Sequence, residues 1–149
     1  MKSGRLSLVL ADDDRDDCVL FREALENLPY STLLLEFPYG DQLMQWLKAN
    51  YNDLPDAIFL DLNMPRKNGF QCLTEIRQNE KLKSLPVFII STSYEKEIAD
   101  TLYQNGANFF IHKPTNFLKL KALINVALSL ITKHDFLHPT KEEFLLSTY

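Results

Sequence analysis

Apolar residues in this chain follow two alternating patterns. Short continuous runs are bounded by turn formers, and longer stretches carry an apolar residue every three or four positions. The runs Leu6–Ala11, Ser31–Phe37, Ala57–Leu60, Val87–Ile90 and Asn108–His112 predict five strands. Ala57–Leu60 and Val87–Ile90 are apolar throughout, as expected of strands buried on both faces of a sheet. The stretches Arg15–Leu28, Asp41–Asn50, Gly69–Asn79, Glu95–Asn105 and Phe117–Thr132 predict five helices. Their inward faces are read as Phe21, Ala24, Leu25 and Leu28; Leu43, Met44 and Leu47; Leu73 and Ile76; Ile98, Leu102 and Tyr103. The last helix carries the stripe Phe117, Leu120, Ile124, Ala127 and Ile131. Pro29, Pro38-Tyr39-Gly40, Pro65 with Asn68-Gly69, Pro86 and Gly106 supply the breaks.

Strands alternating with helices through short connections predict an α/β fold with a parallel sheet covered on both faces. Right-handed crossovers restrict it to a doubly wound sheet, strand order 2-1-3-4-5, with five helices. Residues 5–132 form one domain in this reading, and 133–149 are a tail. The last helix bears a second apolar face, Leu123, Val126 and Leu130. Phe136, Leu137, Phe144, Leu145 and Leu146 of the tail are expected to cover it in part.

Bulk properties narrow the function. With 149 residues and 46% apolar composition the chain can bury a core, and a net charge of −4 argues against a nucleic-acid surface. No apolar run is long enough to span a bilayer, and the N-terminus lacks a signal-peptide core. Cys18 and Cys72 have neither zinc nor redox-pair spacing and read as buried thiols. A reduced, cytoplasmic setting is expected.

Chemistry gathers at the strand ends. Asp12-Asp13-Asp14 follows the first strand, Asp61 the third, Ser91 the fourth and Lys113 the fifth. In the order 2-1-3-4-5 these ends are neighbours, and open α/β sheets collect ligands there. Carboxylates held together raise one another's pKa unless a cation joins them. Oxygen donors without a His or Cys ligand set point to Mg2+. A carboxylate beside Mg2+, a hydroxyl and an ammonium suits phosphoryl transfer through an aspartyl phosphate.

The segments Leu10-Ala11-Asp12-Asp13-Asp14, Phe59-Leu60-Asp61-Leu62-Asn63-Met64-Pro65, Ile90-Ser91-Thr92-Ser93 and Phe110-Ile111-His112-Lys113-Pro114 occur in order, each at a strand end. From about Leu6 to Ile131 the chain thereby resembles the receiver domain of two-component response regulators, which is chemotaxis-regulator-like with a flavodoxin-like fold. The resemblance implies that Asp61 is the phosphoacceptor and that Asp12, Asp13, Asp61 and the Asn63 carbonyl hold Mg2+, Asp13 directly and Asp12 through water. It makes Ser91 the switch hydroxyl, Lys113 the phosphate contact and Phe110 the aromatic that moves with the switch. It implies a cis Lys113-Pro114 bond. The donor would be a histidine kinase or phosphotransfer protein and the target an unknown downstream protein, with a homodimer through the fourth helix, fifth strand and fifth helix also allowed. The wording of the Asp61 and Ser91 segments leans towards the stand-alone, single-domain branch that accompanies phytochrome-type histidine kinases.

The expectation is a phosphorylation-dependent signalling switch of a phosphorelay, not a dedicated enzyme. Two alternatives stay open. One is a receiver-like binding module that does not use phosphorylation. The other is a phosphohydrolase passing through an aspartyl phosphate, which wants an acid where Asn63 stands. Asp14, Asp16 and Asp17 read as helix-capping and dipole residues, Arg66 and Lys67 as a solvated turn, and His112 as sheet packing.

Overall fold

The structure is a computed structural model that describes residues 4–135 and 139–148. Five strands, β1 (Leu6–Ala11), β2 (Thr32–Phe37), β3 (Ala57–Asp61), β4 (Val87–Ser91) and β5 (Phe109–His112), alternate with helices α1 (Arg15–Glu26), α2 (Gly40–Ala49), α3 (Gly69–Gln78), α4 (Lys96–Gln104) and α5 (Phe117–Thr132). A one-turn helix, α6 (Lys141–Phe144), lies in the tail. All strand pairings are parallel, in the order β2-β1-β3-β4-β5.

Side chains alternate between two cores, as the period of a strand requires. Val9, Ile58, Leu60, Val87, Ile89 and Phe110 meet α2, α3 and α4 on one face. Leu8, Leu10, Phe59, Phe88, Phe109 and Ile111 meet α1 and α5 on the other. Every residue of β3 and β4 is buried, so their unbroken apolar runs reflect two-sided cover. Stacked Phe59, Phe88 and Phe109 rings, about 5 Å apart centroid to centroid, continue across three strands.

Several local expectations are corrected. Helix α1 stops at Glu26, because the Asn27 side chain caps it by donating to the Glu23 carbonyl at 2.8 Å, two residues before Pro29. On α4 the buried residues are Ala99 and Leu102, while Ile98 is 43% exposed. Ala99 and Leu102 join the same core as Phe110 of β5. On α5, Leu123 and Leu128 join the core stripe, because this helix is packed along α1 as well as the sheet. Asn68 is a helix cap and not part of a turn pair: it makes a reciprocal capping box with Gln71 at the start of α3. No peptide bond among the described residues is cis, so Lys113-Pro114 takes the trans form that X-Pro bonds generally favour.

The tail folds back, as expected, but its main target is β5. Thr140 and Glu143 form a capping box that starts α6. Phe144 is buried against Tyr103 and Phe110, with centroids 5.4 and 6.2 Å apart. Leu145 bridges Phe110 in parallel, and the Leu146 N–H donates to the Phe110 carbonyl at 2.9 Å. The Tyr103 hydroxyl donates to the Pro139 carbonyl at 2.7 Å. Leu146 packs into the α5 core alongside the half-buried Leu130. Phe136 and Leu137, also expected to cover the last helix, lie outside the described residues.

Candidate functional site

Asp61 ends the central strand β3, with Asp61 opposite Ile90 and Ser91 opposite His112 in register. The turn that follows is held close to it. Gly69 donates to the Leu62 carbonyl at 3.0 Å, and a Cβ on Gly69 would stand 2.2 Å from the Asp61 carbonyl oxygen. Only glycine lets α3 approach this closely. Gly40 plays the same part for the far side of the turn, its Cβ position lying 2.1 Å from the Lys67 carbonyl oxygen.

The expected bystanders of this turn are ion-paired. Arg66 has φ 71°, donates to Asp41 at 2.7 Å and lies 4.6 Å over the Tyr39 ring. Lys67 and Lys48 both pair with Glu75. These contacts hold the loop from outside and leave the carboxylates to themselves.

One carboxylate oxygen from each of Asp12, Asp13 and Asp61 lies within 4.8 Å of the others. Asp12 and Asp61 are buried, Asp13 exposed. An all-oxygen set of this size suits a hard divalent cation. Without one, burial pushes the Asp61 carboxyl up to about 7; Lys113 opposes that rise, Asp12 adds to it, and a hydrogen bond from the Asn63 backbone opposes it.

Lys113 reaches in from the end of β5. Its Nζ donates to Asp12 Oδ2 at 2.7 Å and to Asp17 Oδ2 at 2.8 Å. Burial disfavours the ammonium, yet these two carboxylates outweigh it and raise its pKa, so it stays charged. Asp14 is the expected cap, accepting from the Asp17 N–H at 3.0 Å. Asp17 departs from its expected role as a dipole residue, because its side chain turns inward to Lys113. Nothing in its spacing from Asp12 marks this; only the folded position of Lys113 does.

The Ser91 hydroxyl is fully buried and lies 3.4 Å from Ser93 Oγ, with the Ser93 N–H 3.3 Å away. Phe110 is 1% exposed and meets Tyr94 edge-on at 5.4 Å. His112 does more than pack the sheet: it is exposed, and its Nε2 lies 3.1 Å from the Thr92 carbonyl in the loop after β4. The strand ends thus bring together Asp12, Asp13, Asp61 and Lys113, with Ser91 on the adjoining strand. Phe110 stands apart, linked through Tyr94 to the Ser91 loop.

Residues 8–125 match the response regulator receiver domain family. The chain belongs to that family. Among curated relatives of this receiver, response regulator Rcp1 of Synechocystis is 30% identical over 121 residues, covering 78% of this chain and 82% of Rcp1. Among solved structures, the phosphorylated cyanobacterial phytochrome response regulator RcpA superposes with a TM-score of 0.79 at 28% identity, over 87% of this chain and 96% of RcpA. The Mn2+-bound form of Rcp1 gives 0.75 at 27% identity, over 91% and 99%. Among the described residues, no helix is long and apolar enough to cross a membrane.

Proposed function

We propose that this receiver is a phosphorylation-dependent switch in which Asp61 accepts a phosphoryl group from a histidine kinase or phosphotransfer protein. The observation that carries the proposal is the convergence of three carboxylates and a paired ammonium around a buried strand end. An Asp61 oxygen attacks phosphorus as the bond to the donor's imidazole nitrogen breaks, the imidazole leaving with the bonding pair. Asp12, Asp13, Asp61 and the Asn63 carbonyl would hold Mg2+, which supplies positive charge opposite the phosphoryl oxygens. Lys113 contributes a charged donor from the other side, and the Ser91 hydroxyl a neutral one. Drawing Ser91 towards the phosphoryl group draws Phe110 after it, a local charge event that biases a two-state element.

Likeness to RcpA and Rcp1 supports a phytochrome-type kinase as the donor. Residues 5–132 are the receiver unit and 133–149 a C-terminal tail. A homodimer through α4, β5 and α5 would have to move or share the tail that lies on β5. Acetyl phosphate with Mg2+ should add one phosphoryl group by intact mass, and Asp61→Asn should abolish it. No mass gain under conditions that label an established receiver would refute the proposal.

A further inference from the structure

Asp17 does not belong to the strand-end set; it sits on the first turn of α1, yet its Oδ2 accepts from Lys113 Nζ at 2.8 Å. Its own backbone N–H is fixed by Asp14 Oδ1 at 3.0 Å, so the carboxylate is carried on an anchored turn. The lysine side chain is only 9% exposed and that of Asp17 28%. An ammonium has three N–H donors. Asp12 and Asp17 take two, which leaves one for an oxygen at Asp61.

We propose that Asp17 is a positioning residue for Lys113, holding the ammonium off the attacking carboxylate until a phosphoryl oxygen arrives. This rests on the phosphoacceptor reading of Asp61. Lysine is a point charge on a flexible four-carbon stem, and one acceptor does not fix its direction. With Asp17 gone, the remaining attractions on Lys113 come from Asp12 and Asp61, whose charge it already senses. Pairing with Asp61 occupies the oxygen that must attack and spends the third donor before the phosphoryl group arrives. Two anchors therefore serve preorganisation: the donor is placed where charge develops and the nucleophile is left free.

The test follows the initial rate of Asp61 phosphorylation by acetyl phosphate with Mg2+, which releases acetate as the phosphoryl group passes to Asp61. Four variants are compared with the unaltered chain: Asp17→Asn, Asp17→Glu, Lys113→Met and the Asp17→Asn/Lys113→Met pair, each checked for folding by a thermal melt. Asp17→Asn should slow the reaction about tenfold, and Asp17→Glu should restore most of the rate. In the Lys113→Met background, Asp17→Asn should change the rate less than about twofold, since it acts through the lysine. A merely structural role would slow both backgrounds alike. Equal slowing in both, or an Asp17→Asn rate within about twofold of the unaltered chain, overturns the assignment while leaving Asp61 as acceptor. Failure of the unaltered chain to take up phosphate removes the reading of Asp61, and this assignment with it.

Discussion

Replacing Asp61 by Asn should stabilise the metal-free protein, and more so as pH rises. The Asp61 carboxyl is buried at the end of β3 and is pushed up from 3.8 to about 7, first by burial. Between those values the folded chain keeps a proton that the unfolded chain has released. The unfolded state then binds fewer protons, so stability falls with rising pH. The favourable contribution is complete below the unfolded value and gone once pH passes the folded one. A rise from 3.8 to about 7 corresponds to about 4 kcal/mol. Asparagine keeps the shape and cannot ionise. Urea melts in chelator from about pH 5 to about pH 8 should show the variant pulling ahead of the unaltered chain by a few kcal/mol. Adding Mg2+ should narrow that gap, because a cation offsets the charge of the unaltered site. Parallel stability profiles for the two proteins in chelator would refute the reasoning.

Further outcomes follow from the packing. Gly69→Ala should cost about 1–3 kcal/mol in a thermal or urea melt, because its Cβ would meet the Asp61 carbonyl oxygen at 2.2 Å. Phe144→Ala empties a buried ring site worth about 3 kcal/mol, and the loss stops at the docking energy of the tail if the tail lets go. Amide exchange at Leu146, whose N–H is bonded to the Phe110 carbonyl, should speed up in that variant. Cys18 and Cys72, both pushed by burial to about 12, should resist a thiol reagent near neutral pH until the chain is unfolded.

The parts of the fold legible in sequence are those whose physics is local or two-sided. The runs Ala57–Leu60 and Val87–Ile90 are short and continuously apolar, which favours strands buried on both faces, and the polar residues that end them mark the site. The handedness of short connections restricts the topology to a doubly wound sheet, and 2-1-3-4-5 is a common order for one. Less legible were faces decided by tertiary neighbours. Ile98 has the right spacing to be inward, but α4 at the sheet edge buries Ala99 instead. Leu123 lies outside the single stripe on α5 and is buried in the core that α1 shares. Asp17 was hidden because its partner lies 96 residues away. Thr140 with Glu143 did carry a local signal, a capping box ahead of Phe144, and it marks where α6 begins.

The tail's hold on β5 also bears on how copies of this chain meet. A parallel sheet ends in two rows of unpaired backbone groups, each an invitation to a strand from another molecule. On the β5 side, Leu145 and Leu146 already pair with Phe110. On the β2 side, Leu33 and Leu35 remain 47% and 37% exposed. Among the described residues the β5 rim is thus partnered at Phe110 by the chain itself, while β2 displays apolar side chains. Unwanted strand addition should begin at β2, and charged residues placed at positions 33 and 35 are where a more aggregation-resistant version would start.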